Sequence, residues 1–154
     1  MNYLDKNQCA RCGGVCCRTM PGATMPQDIL DMFPADNMAE SLIEAFETRK
    51  WVIDCWEGDP RPNKEELDQA YYIRPKNDDS YHSGIYSFTW GGRCIFHTDT
   101  GCQLDENERP YSCRMLEPKQ NDECVMHDDG GKQKCSIAWI EYTEDIILAA
   151  QVID

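Results

Sequence analysis

The chain has 154 residues, 28 acidic against 15 basic, a formal net charge of −13 and ten cysteines. That length suits one domain with a modest core. The charge and the lack of any dense Lys/Arg run argue against nucleic acid and anionic membrane surfaces as partners. No stretch approaches the roughly 20 apolar residues of a membrane span. What remains is a basic protein partner, or no macromolecular partner.

The first eight residues read as a short lead-in without the apolar run of a signal peptide, so the expected compartment is the cytoplasm. Four thiols then fall within nine residues: Cys9, Cys12, Cys16 and Cys17. The C-x-x-C spacing of Cys9 and Cys12 lets two sulfurs from one tight turn reach a single ion. Gly13 and Gly14 allow the chain to reverse so that Cys16 can return to it. Cys16 and Cys17 are neighbours and would point to opposite faces of an extended segment. Disulfides would need an oxidising compartment, so metal or iron–sulfur ligation is the expected use of these thiols.

Pro21-Gly22 reads as a turn. Pro26 suits the first turn of a helix over 27–33, stopped by Pro34, with Ile29, Leu30 and Phe33 on one face. Asn37 with Glu40 three residues on resembles a capping box. It opens a helix whose stripe Ala39, Leu42, Ile43 and Phe46 is core, ending near Arg49 and Lys50. Residues 51–56 and 70–74 are aromatic and β-branched and read as strands. Between them Lys64 to Leu67 carries a helical hint. Residues 75–84 are a polar loop containing His82, 85–90 a further strand, and Gly91-Gly92 a turn. Cys55 sits in the first of these strands and reads as a buried thiol. Residues 136–153 predict a largely buried helix with a break near Thr143.

A second block runs from Arg93 to Arg114. Cys94, Cys102 and Cys113 recur in loops rich in Gly, Asp and Pro, which bury little apolar surface and need another anchor. His97, three residues after Cys94, is a candidate ligand or proton donor. Arg11, Arg18, Arg93, Arg109 and Arg114 each lie within four residues of a cysteine of the first or second block, and guanidinium groups donate to thiolates.

Cys9-x2-Cys12-x3-Cys16-Cys17, then Cys94-x-Phe96, Gly101-Cys102-x-Leu104 and Arg109-Pro110-x-x-Cys113-Arg114, resembles the CxxCxxCC cysteine-cluster family. The stretch from Met25 to Ile29 resembles that family's helix start. The match covers about residues 9–33 and 94–118, so residues 34–90 read as an insertion between the two cysteine blocks. The resemblance implies zinc or iron–sulfur binding through the cysteines. The family includes a protein described as a flagellin lysine N-methylase and implies no one shared reaction.

The chain departs from that pattern after Cys113, where Cys124, His127 and Cys135 add a C-x2-H…C set. These are zinc-compatible ligands for a second site or for completing the first; equally they read as two thiols and a surface histidine. One tetrahedral zinc or one 4Fe-4S cubane uses four ligands, and two zincs need eight. Seven family cysteines with His97 or a bridging thiolate satisfy two zincs. A cubane plus a zinc on Cys124, His127 and Cys135 also fits.

The expected fold is a single α+β domain over residues 1–154, with several helices, a short antiparallel sheet and irregular loops gathered on metal. The expected function is chelation of zinc or an iron–sulfur cluster, the metal mainly structural because closed all-thiolate sites are structural. The alternatives are an iron–sulfur-dependent enzyme of redox or group-transfer chemistry and a thiol redox sensor.

Overall fold

The computed structural model describes residues 21–77, 84–88, 92–99, 101–118, 124–126 and 131–153. The fold is α+β. Helix α1 (Pro26–Met32) begins with proline at its first turn, where a missing N–H costs nothing. Helix α2 (Met38–Glu47) starts at Asn37, whose side-chain oxygen accepts from Glu40 N at 2.9 Å. The predicted stripe faces inward: Ala39, Leu42 and Phe46 are buried and Ile43 is half-buried. Arg49 leaves the helix with φ 62°.

Strands β1 (Trp51–Glu57) and β2 (Gln69–Pro75) pair antiparallel, with Ile53 opposite Ile73. Trp51 to Asp54 are buried without alternation, so both faces of this end are covered. The expected strand over 85–90 does not form where it is described; Tyr86 makes an isolated parallel bridge to Ile53. Residues 85–87 run parallel to β1, with Ile53 N donating to Ile85 O and Ser87 N to Ile53 O, both at 2.8 Å. Thr89 and Trp90 lie outside the described residues.

The helical hint at Lys64 to Leu67 does not become a helix. Asp59 organises that connection instead. Its carboxylate accepts from Arg61 N and Nε at 3.0 Å, Arg61 Nη2 at 2.8 Å and Glu66 N at 3.3 Å. These bonds hold the Asp59 carboxyl well below the usual carboxylate range, the Arg61 side chain contributing most.

Two small ladders follow: β3 (His97–Thr98) with β4 (Gly101–Cys102), and β5 (Leu116–Pro118) with β6 (Cys124–Met126), each antiparallel. Helix α3 (Tyr111–Arg114) lies between the ladders in sequence. Helix α4 (Gly131–Trp139) starts earlier than the expected residue 136 and passes through a 3-10 turn (Ile140–Tyr142) into α5 (Thr143–Ile153), which places the predicted break at Thr143. Helix α4 packs on β1 and β2, and α5 packs on α2. The expectation of a largely buried C-terminal helix needs correction. Ile146, Ala149 and Ala150 are buried, while Ile147, Leu148 and Val152 are exposed. An apolar helix circumference exceeds what one neighbouring helix can cover.

The core joins Ile29, Leu42, Phe46, Ile53, Ile73, Trp139 and Ile146. Residues 34–90 therefore furnish much of it. Inside lies a satisfied polar network. Asp54 Oδ2 accepts from Arg74 Nε and from the Tyr72 hydroxyl, both at 2.9 Å, and Arg74 Nη2 donates to Ser87 O at 3.0 Å.

Candidate functional site

The segment that leaves the first cysteine cluster is pinned into the core at successive residues. Thr24 N and Thr24 Oγ1 both donate to Ile73 O, at 2.9 and 2.7 Å. Thr24 O accepts from Trp139 Nε1 at 2.8 Å, so a fully buried indole satisfies a carbonyl 115 residues away. Ala23 O accepts from Ser112 N at 3.1 Å and from the Cys135 thiol at 3.7 Å. This strap, residues 22–25, thus meets β2, α3 and α4.

Two of the candidate thiols reach the strap. Cys113, half-buried on α3, lies against Gly22. A Cβ on residue 22 would stand 2.5 Å from Cys113 Sγ, 3.2 Å from Cys113 N and 3.3 Å from Ser112 Cβ. Glycine is required there by close approach of the thiol. Cys135 is fully buried next to Ala23, 3.9 Å from Ser112 Oγ. Burial pushes its thiol up to about 12, opposed by the Ser112 contact; Asp28 raises it further and Arg114 lowers it.

Asp28 joins the strap to α3. It is 7% exposed. Its Oδ2 accepts from Met25 N and Tyr111 N, both at 2.9 Å, and its Oδ1 accepts from Arg114 Nη2 at 2.9 Å. Arg114 Nη1 donates to Arg109 O, and Arg109 Nε donates to Leu104 O at 3.2 Å. Arg109 and Arg114, two of the five arginines expected to donate to thiolates, engage these oxygen acceptors and brace the chain on either side of Cys113.

Cys94 is buried with the core, bridged to Asn77 across an antiparallel pair, and Gly92, at φ 107°, closes over the Asn77 side chain. Cys102 is half-buried and pairs with His97 between β4 and β3. Arg93 Nε donates to His97 Nδ1 at 2.8 Å and its Nη2 to His97 O at 3.3 Å. A metal at Nδ1 would therefore have to displace the arginine. Cys55 is half-buried on β1 opposite Tyr71, its thiol raised first by burial, then by Asp54 and Glu57.

Among the described residues, Cys55, Cys94, Cys102, Cys113 and Cys135 form no disulfide with one another. No group of three or more His, Cys, Asp or Glu side chains among them could hold an ion. Cys9, Cys12, Cys16, Cys17, Arg11, Arg18 and His127 lie outside the described residues, and Cys124 is described in its backbone alone. Of the described candidates, Cys113 fits a thiolate ligand best. It is half-buried, on a short helix, and pressed on backbone five residues after Cys17. Cys135 fits less well, because its buried sulfur donates to a carbonyl and would have to lose that proton.

Sequence reasoning missed Asp28 as part of this arrangement, and the roles of Gly22 and Ser112. Asp28 carried one signal, its place three residues after Met25 at a helix start. Comparisons with family models, with curated proteins and with solved structures find no match.

No helix among the described residues is long and apolar enough to cross a membrane.

Proposed function

We propose that the chain is a metal-binding protein that chelates zinc or an iron–sulfur cluster through its clustered cysteines, with the metal mainly structural. The observation that carries this reading is the packing of Cys113 Sγ on Gly22. It brings a cysteine of the second block to the exit of the first. The five residues from Cys17 to Gly22 span at most about 18 Å of chain. A centre that takes Cys9, Cys12 and one of Cys16 and Cys17, with Cys113 as a further ligand, closes the chain on itself across some ninety residues. Loop-closure cost grows only slowly with length, so a metal bond can offset it.

The strap supports the same reading. Its backbone is held by Ile73, Trp139, Ser112 and Asp28 before any ligand binds, so the chain leaving the cluster is anchored in advance. When bound, the group would cross-link the segment before the strap to the second cysteine block.

The test is protein purified without oxygen and titrated with chelator. Structural zinc contributes on the order of 10 kcal/mol of apparent binding energy, so stripping should lower the melting temperature sharply. Visible absorption that bleaches on reduction marks an iron–sulfur cluster, and a colourless, zinc-replete protein marks zinc. Protein that carries no metal, or that melts unchanged after stripping, would overturn the reading.

A further inference from the structure

We propose that Asp28 is a positioning residue for the metal-binding thiols, a clasp that sets Cys113 against the exit of the first cluster. This inference rests on the metal-binding reading above. One carboxylate receives three donors from two places in the chain. Met25 N, on the strap, and Tyr111 N, the first residue of α3, both meet Oδ2; Arg114 Nη2, from the residue after Cys113, meets Oδ1. Tyr111 and Asp28 are 83 residues apart in sequence. Asp28 therefore caps the N-terminal ends of α1 and α3 together, and fixes how α3 sits on residues 22–25. In that arrangement the Cys113 thiol lies so close to the strap that residue 22 has no room for a Cβ.

The chemistry needs a carboxylate. An ionised carboxylate only accepts and has lone pairs for all three donors. An asparagine of the same shape offers one oxygen and turns an NH2 toward either the guanidinium or the two backbone N–H groups. The clasp then opens at one end whichever way the amide lies.

The experiment is a competitive chelator titration of metal-loaded Asp28→Asn against wild type, paired with the rate at which Cys113 reacts with a thiol reagent in the loaded protein. Loss of groups that orient metal ligands from behind lowers affinity by roughly 10–100-fold. The expected result is a loss in that range with faster Cys113 modification. Asp31→Asn, at an exposed acidic side chain of α1 that accepts from Gln27, should change neither. Asn37→Ala destabilises at a distant cap and serves as the control for stability alone. If Asp28→Asn does not fold, Arg114→Gln removes one donor and leaves both backbone caps, and should still weaken binding several-fold. Wild-type affinity in the Asp28→Asn protein, or in Arg114→Gln where that variant stands in, would overturn the proposal. So would an equal loss of affinity in Asn37→Ala. A wild type that binds no metal would instead overturn the functional reading beneath it.

Discussion

Replacing Gly22 by alanine adds one methyl group at the tightest contact of the strap. The new carbon would stand 2.5 Å from Cys113 Sγ, where an ordinary nonbonded contact needs about 3.5 Å or more, so the thiol must retreat by about 1 Å. Turning the Cys113 side chain relieves only the sulfur. Cys113 N at 3.2 Å and Ser112 Cβ at 3.3 Å remain, and these move only if α3 moves. Helix α3 is held by Ser112 N on Ala23 O and by Tyr111 N on Asp28, so displacement stretches both bonds. Overpacking of this kind costs about 1–3 kcal/mol. For a chain of this size each kcal/mol is about 2–4 °C, so the melting temperature should fall by about 2–12 °C. The assay is thermal melting of wild type and variant, each metal-loaded and stripped, with Gly84→Ala as control because no described residue lies within 4 Å of its added carbon. If displacing Cys113 also weakens the metal site, the loaded protein should lose more than the stripped one. Equal melting temperatures for wild type and Gly22→Ala in both states would refute the contact on which the argument stands.

The buried network around Asp54 makes two more predictions. Arg74→Met removes the guanidinium that pairs with Asp54, and losing one partner of a buried ion pair costs about 3–5 kcal/mol, measurable by urea unfolding. Burial, then the nearby Asp54 carboxylate, raise the Tyr72 phenol well above its ordinary range. Unfolded tyrosine ionises near pH 10 while folded Tyr72 keeps its proton. Above about pH 10 the unfolded state therefore binds fewer protons and stability falls as pH rises. Tyr72→Phe should flatten that part of the stability–pH curve, read by urea midpoints between pH 9 and 11; an unchanged slope would contradict the burial of this phenol.

What was legible in the sequence was local or periodic. Pro26 at a first turn and the Leu42–Phe46 stripe are signals within one helix and form as read, and of the Asn37–Glu40 pair the Asn37 cap forms. The β1–β2 hairpin was legible from its aromatic and β-branched runs. Misreadings came where long-range contacts decide. Lys64 to Leu67 has helical composition, yet Asp59 draws Arg61 and Glu66 into a turn-rich loop. The C-terminal helix is apolar on more sides than its neighbours cover, so Leu148 and Val152 face outward. Gly22 reads as a turn residue beside Pro21, whereas its neighbour is a sulfur from 91 residues away. Cysteine is ambiguous by nature, since it packs as a small hydrophobe and also ligates metal. Only the strap's geometry separates half-buried Cys113, pressed on backbone, from Cys135 buried under the core.

The most direct test of the central claim is metal per chain, by elemental analysis of oxygen-free preparations of wild type, Cys12→Ser, Cys113→Ser and Cys55→Ser. Cys55 lies on β1 facing Tyr71, among Asp54, Glu57 and Lys132, and should be dispensable. Wild type and Cys55→Ser should carry the same metal content, while Cys12→Ser and Cys113→Ser should both lose it. Full metal content in Cys113→Ser would contradict a centre shared between the two cysteine blocks.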